Sequence, residues 1–310
     1  MSRAAAPIDV ELEAVIVAVT EEEPRILTLP GHTPALPSGL LDPEVDRTLD
    51  RGLRRWVQEQ TGIEVGYVEQ LYTFGDRDRH PREREGGPRM LSVGYLALIR
   101  EERPSADAAW TPWYELFPWE DHRGGRPPDL DEVILPGLRA WAAAAGDPEE
   151  AEARLIRARI AVGVDESSWD EVRVLERYEL LYEARLVPEF FVDRGRRPDG
   201  AVPGLSLLRD HRRIAATALS RIRGKLSYRP LVFELLPGEF TLLTLQRVVE
   251  ALAGIRLHKQ NFRRVVERAG LVEGTGRHDP HTGGRPAELF RFRREVLLER
   301  PRPGVRMPGR

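Results

Sequence analysis

FTLLTLQRVVEALAGIRLHKQNFRRVVERAG, residues 240–270, contains two short amphipathic helices in immediate succession. Thr241 is a good N-cap, and Leu242, Leu245, Val248, Val249 and Leu252 share one face until Gly254 ends the helix. After the turn GIRL, a second helix over about 258–269 turns Phe262, Val265, Val266 and Ala269 inward at i, i+3, i+4 and i+7. Its other face carries Lys259, Gln260, Arg263, Arg264 and Arg268. Two helices joined by a tight Gly-containing turn, the second one basic, form a helix-turn-helix pattern. Leu271 to Thr275, a loop from Gly276 to Pro286 and an alternating strand over Glu288 to Arg293 add a hairpin, which makes the winged variant. Lys259 suits phosphate or guanine, Gln260 and Asn261 suit adenine, and Arg263 and Arg264 suit guanine or phosphate. On the wing, Arg277 and Arg285 suit backbone or minor-groove contacts with double-stranded DNA. His278-Asp279-Pro280-His281 has metal-ligand residue types, but Pro280 and the loop setting point to an exposed polar wing, so no metal site is expected.

Working outward, the charge supports this assignment. The whole chain of 310 residues is nearly neutral at −3, yet residues 201–310 hold 22 Lys and Arg against 10 Asp and Glu, a net of +12. Residues 1–200 therefore hold 25 against 40, a net of −15. A basic back and an acidic front suggest two tasks, the basic one suited to a phosphate backbone. The length fits two or three domains of roughly 100–200 residues. With no cysteine, the chain has no disulfide scaffold, no thiol nucleophile and no Cys-ligated metal centre. No run of about 18 apolar residues appears and the N-terminus lacks a signal-peptide pattern, so no membrane partner and a cytoplasmic location are expected.

The first hundred residues read as α/β. Residues 10–19 and 25–29 are strands, 46–61 a helix closed by Gly62, 63–74 a strand or bent strand pair, 75–89 a charged loop and 90–100 another strand. A Trp-rich stretch from Trp110 to Trp119 fits packing anchors. A Gly/Pro linker at 123–128 and helices over 129–145, 147–163 and 168–186 follow. Residues 193–204 form a second linker, and a further helix occupies 205–226. His122 and His211, each after an Asp, read as helix-entry capping segments. The expected division is 1–122, a helical insertion 123–204, and a winged helix domain 205–310.

The order strand, Leu36-Pro37-Ser38-Gly39, loop, helix, Gly62-Ile63, strand resembles the Nudix hydrolase domain, whose box is Gly-x5-Glu-x7-Arg-Glu-U-x-Glu-Glu-x-Gly-U. Arg55, Val57 and Glu59 match it. Trp56 and Gln60 stand where two metal-binding glutamates belong, Arg47 replaces an earlier glutamate and Leu41 the first glycine. Mg2+ wants several oxygen ligands, so Glu59 alone is a poor site. Asp46 and Glu44 are not expected at the helix face that bears Glu59. No catalytic residue is therefore assigned.

An eroded Nudix box followed by a basic winged helix resembles the Nudix-related transcriptional regulators of the NrtR type. The match rests on Leu36 to Gly39, Leu71 to Asp76 with Arg77 to Arg79, Ser92 to Ala97, and Arg223 to Leu231. It rests also on Phe240 to Leu242 with Leu245 and Gln246, Asn261 to Arg264, and Gly284 to Ala287 with Phe290 to Phe292. The resemblance implies an α+β protein: an N-terminal Nudix-like α/β/α sandwich, a helical insertion and a C-terminal winged helix-turn-helix. It implies a homodimeric repressor of NAD synthesis or salvage genes that binds a DNA operator and releases it on binding ADP-ribose or a related nucleotide, with no cofactor required. Positive charge for such an effector would come from Arg55 and from Arg77, Arg79, Arg82, Arg84 and Arg89. Glu59 lies beside Arg55, and Phe74 is either an adenine platform or core. Two other readings stay open: an active hydrolase of ADP-ribose or a similar compound, and a non-catalytic nucleotide-binding protein acting on RNA.

Overall fold

The structure, a computed structural model, describes residues 8–77, 80–105, 107–197, 203–280, 286–299 and 304–305. Strand β1 (Ile8–Thr20) is apolar on both faces from Ala14 to Ala18, the pattern of a central strand covered from two sides. Leu12, Ala14 and Ile16 enter one core, Val15 and Val17 the other. β2 (Glu23–Thr28) returns antiparallel through a turn in which Glu21 and Glu22 are both left-handed, with φ of 52° and 64°. The Nudix-like part continues with β3 (Ser38–Leu40), α1 (Leu49–Thr61), β4 (Tyr67–Phe74), α2 (Pro81–Arg84), β5 (Arg89–Leu98) and β6 (Ala109–Pro112). The sheet order is β4-β5-β1-β2-β6, with β3 pairing β1; β1 and β5 are parallel and the remaining pairs antiparallel.

The middle of the chain holds α3 (Trp113–Leu116), a 3-10 turn Pro118–Glu120 and a π-helical turn Leu130–Ile134. It continues with α4 (Leu135–Ala143), α5 (Pro148–Val162), α6 (Val174–Glu183) and α7 (Pro188–Val192). Trp113 and Trp119 are fully buried. Then come α8 (His211–Leu226), a 3-10 turn Leu231–Leu235, α9 (Leu242–Ala253), α10 (Lys259–Ala269), β7 (Val272–Asp279), β8 (Ala287–Phe292) and α11 (Val296–Glu299).

Two helices complete the sandwich. α1 covers one sheet face with Leu53 and Val57. α8 covers the other, so close to β5 that a Cβ on Gly94 would lie 3.0 Å from Ile214 Cγ2. α8 also packs on α6 and α9 and is buried over most of its length, with Arg213, Ser220 and Arg221 partly exposed. This differs from the expected grouping of 205–226 with the winged helix: no break in packing falls at 205, and one core runs from the sheet through α8 into α9 and α10. Arg212 and Arg223 of α8 are buried in ion pairs with Glu189 and Glu120, so the helix is covered at positions that their charge assigns to the surface. The helix also starts later than expected, because Leu205 and Leu208 donate instead to Glu115 O and Pro34 O as extended chain.

Smaller differences have similar causes. β3 and β6 are too short to carry a periodic signal. Residues 63–66 precede β4 without pairing, and the charged loop contains α2. The helix expected over 168–186 shortens to Val174–Glu183. In the winged helix, Phe240 forms a single antiparallel bridge with Phe290 of β8, and β7 runs to Asp279, so Arg277 sits in a strand and not in the loop. Among the described residues, no helix is long and apolar enough to cross a membrane.

Candidate functional site

The helix α1 begins at Thr48, whose side chain accepts from Arg51 N, and ends at Gly62 in the left-handed region at φ 71°. Arg55 and Glu59 share a face one turn apart. Arg55 reaches Asp46 by two bonds, Nε to Oδ1 at 3.0 Å and Nη2 to Oδ2 at 2.8 Å, and Glu59 Oε2 at 3.4 Å. Asp46 is therefore brought to this face, contrary to the sequence expectation, by an arginine that bridges it to Glu59. The Arg55 guanidinium holds the Asp46 carboxyl below its usual range. Gly52 makes room for it: a Cβ there would stand 2.9 Å from Asp46 Oδ2. Arg55 is thus committed, and a phosphate could reach it only by displacing carboxylates.

The two positions that lack glutamate have become a clamp. Trp56 Nε1 donates to Leu40 O at 2.8 Å, while Gln60 accepts from Ser38 N at 3.1 Å and donates to Ser38 O at 2.7 Å. The Trp56 ring lies so close over Gly39 that a Cβ there would be 2.1 Å from it. Side chains that would hold a metal in a hydrolase here pin β3 to α1. Among the described residues, no group of three His, Asp or Glu is placed to hold a metal ion.

The other expected ligand residues lie elsewhere. Phe74 is buried on the sheet face opposite α1, with Tyr72 edge-on at 5.4 Å and the Arg213 guanidinium 5.5 Å from its ring. The structure does not bring it to Arg55 and Glu59. Arg89 donates to Glu83 at 3.1 Å and to Gly75 O at 2.6 Å, and Arg84 to Asp193 O at 2.8 Å. Arg77 lines a cleft of about 440 Å3 with Asp76, Tyr178, Tyr182, Glu189, Arg209 and Arg213. Arg79 lies outside the described residues.

The winged helix presents the expected basic face. Phe262 and Val266 anchor α10 in the core, while Lys259, Gln260, Arg263 and Arg264 are exposed and Asn261 is half-buried. Arg264 Nη2 donates to Asn261 Oδ1 at 2.5 Å, so these two base-reading candidates form one unit. Arg277 pairs with Glu239, and Arg285 and His281 lie outside the described residues. Sequence reasoning missed what sets the turn between the helices. Buried Glu250 accepts from Leu257 N at 2.9 Å, Gln246 at 2.8 Å and Arg256 at 2.9 Å. Burial alone would raise its pKa; the Leu257 and Arg256 hydrogen bonds outweigh that and lower it. The available signal was a Gln and a Glu four apart on an otherwise apolar helix face.

Asp210-His211 does stand at a helix entry, with Asp210 at the N-cap of α8 though without a side-chain cap bond, whereas His122 opens no helix. The nitrogen Nδ1 of buried His211 accepts from Leu36 N at 2.9 Å, tying α8 to the loop before β3. His122 N donates to Gly254 O at 2.7 Å and its ring lies 4.1 Å from Trp169. Burial pushes the His122 imidazole down to about 4, with Arg177 and Arg223 adding repulsion. The unfolded chain therefore takes up a proton near pH 6.5 that the folded chain refuses. Stability should fall as pH drops from about 6.5 to about 4, by about 1–2 kcal/mol for this half-buried ring. Urea melts across that window, compared with His122→Asn, isolate the contribution, and parallel pH profiles would refute it.

Residues 232–292 match the NrtR DNA-binding winged helix domain, a segment that starts after α8. The ADPR responsive transcriptional repressor NtrR of Acinetobacter baylyi is 39% identical over 258 residues, spanning 83% of this chain and 69% of that protein. The chain belongs to the NrtR family of transcriptional repressors. Among solved structures, Shewanella oneidensis NrtR complexed with a 27mer DNA has a TM-score of 0.56 at 20% identity, covering 93% of this chain and 95% of that one. A MutT/nudix family protein from Enterococcus faecalis also has a TM-score of 0.56, at 15% identity, covering 94% and 89%. Both likenesses concern the fold. They place this NrtR-family chain on the combined Nudix-like and winged-helix architecture expected from the residues.

Proposed function

We propose that this NrtR-family chain is a homodimeric, cytoplasmic repressor that reads a near-palindromic operator of NAD-metabolism genes through α10 and releases it on binding ADP-ribose, without turning it over. The observation that carries the reading is the pairing of an exposed, core-anchored basic helix with an α1 whose metal-binding positions are spent on β3. DNA entry is favoured by counterion release on the basic side of the chain. Release by an effector follows from linkage: a nucleotide that prefers the DNA-incompetent arrangement must weaken DNA binding by the same factor by which DNA weakens its own. The A. baylyi relative is described as ADPR-responsive, which supports ADP-ribose as the effector.

The test is a gel shift on the DNA upstream of the chain's own reading frame and of neighbouring NAD genes. A salt-sensitive complex should form and dissolve on addition of ADP-ribose, and ADP-ribose should remain intact with Mg2+ present. Turnover that disappears in Glu59→Gln would instead establish a hydrolase. A preference for RNA over duplex DNA would exclude an operator-reading role.

A further inference from the structure

The C-terminal end of α9 is held from outside the winged helix. Helix ends leave carbonyls without intrahelical partners, and these must be satisfied elsewhere. Here Tyr114 OH donates to Ala251 O at 2.6 Å, Arg223 Nε to Leu252 O at 3.0 Å and His122 N to Gly254 O at 2.7 Å. All three donors belong to the sandwich or the segment that follows it.

Beneath them lies a fully buried charge cluster. Glu120 is 0% exposed and is forked by Arg177, Nε to Oε1 at 2.7 Å and Nη2 to Oε2 at 3.1 Å. Arg223 Nη1 reaches the same carboxylate at 2.6 Å. Arg177 comes from α6, donates also to Ala161 O at the end of α5, and lies 3.7 Å from the Trp169 ring. The carboxylate thus collects one arginine from the helical segment and one from α8, and the α8 arginine has its Nε left over for α9.

We infer that Arg177 is a positioning residue for the DNA-reading helix: by sharing Glu120, it frees Arg223 to grip the end of α9. Without it, Glu120 would draw both arms of Arg223, and Leu252 O would lose its donor. The helical segment would then be part of the joint between sandwich and winged helix. A second strut on another side supports the picture: Glu22, in the strained β1–β2 turn, meets Arg247 at 3.3 Å and Arg256 at 3.2 Å. A fixed joint matters because a twofold reader must present two recognition helices about one DNA turn, roughly 34–36 Å, apart. This inference rests on the DNA-reading function proposed above, so its test includes a readout that needs no DNA.

The chain has no cysteine, so a spin-label pair at Arg47→Cys in the sandwich and Arg268→Cys on α10 reports their distance without background. Both residues are exposed. Arg177→Met leaves Glu120 with Arg223 alone, and adding Glu120→Gln removes the carboxylate that would draw Arg223 off α9. Arg177→Met should broaden the spin-label distance distribution and bind the upstream duplex about tenfold more weakly, while the double variant should melt cooperatively and keep the wild-type distribution. The slope of log affinity against log salt should stay at the wild-type value, because Lys259, Arg263 and Arg264 are intact. Gly254→Ala attacks the same joint from the winged-helix side, since a Cβ there would lie 2.4 Å from Glu120 O; its loss should not add to that of Arg177→Met. A folded Arg177→Met with an unchanged distance distribution, or a double variant with a broadened one, overturns the inference whatever the DNA result. A narrow wild-type distribution with no duplex binding by wild type would overturn the DNA reading alone.

Discussion

Glu120→Ala should cost about 3–5 kcal/mol, because it leaves Arg177 and Arg223 buried without their shared anion. That is a large part of the 5–15 kcal/mol typical of a folded protein, so the variant should melt far below wild type or fail to accumulate. Burial would raise the Glu120 pKa, but the two arginines outweigh it and hold the carboxyl below its usual range. The penalty should therefore be full at neutral pH and shrink only under acid conditions that protonate Glu120 in the wild type. Glu59→Ala is the matched control. Its partner Arg55 keeps Asp46, and an exposed i, i+4 pair is worth a few tenths of a kcal/mol. Equal melting temperatures for Glu120→Ala and wild type would mean that the cluster is solvated. Buried ion triads often add little net stability over an apolar replacement, so the cost of breaking this one measures commitment to a geometry. That geometry is the grip on α9.

Periodic signals were legible and non-periodic ones were not. β1 announced itself by an unbroken apolar run, α1 by Leu49, Leu53 and Val57 with Gly62 behind them, and α9 and α10 by their single apolar faces and capping residues. Three-residue β3 has too few residues to show a period, and α8 buries Arg212 and Arg223, which a polar and apolar pattern assigns to the surface. The erosion of the metal box was visible in Trp56 and Gln60, but their clamp on Ser38 and Leu40 depends on backbone carbonyls that sequence does not distinguish. Nothing local marks Glu120 as a carboxylate whose partners lie 57 and 103 positions away. The near-neutral total charge hid the contrast between the acidic first 200 residues and the basic remainder, and within that remainder the fold divides the arginines: Arg223 is buried in the joint and Arg263 is on the surface.

Arg263→Ala with Arg264→Ala should abolish most operator affinity while leaving the fold intact. Both side chains are exposed, and α10 is held by Phe262 and Val266, so stability should move by no more than about 0.5 kcal/mol. An arginine that reaches a base edge contributes about 1–3 kcal/mol of discrimination, so two together amount to a loss of about a hundredfold or more. Salt separates the two kinds of contact. If an arginine meets phosphate, its removal lowers the salt slope by about one and weakens all duplexes alike; if it reads a base, the slope holds and discrimination against altered operators is lost. Asn261→Ala adds a distinction that the structure supplies, because Asn261 Oδ1 holds Arg264 at 2.5 Å. Loss of that hold should weaken binding even at an operator whose bases Asn261 does not touch, and the effect should vanish once Arg264 is already alanine. Gel-shift titrations at several salt concentrations read all of these outcomes. Wild-type affinity in the double-arginine variant would show that α10 is not the reading helix, and would move the search to Arg277 and the wing.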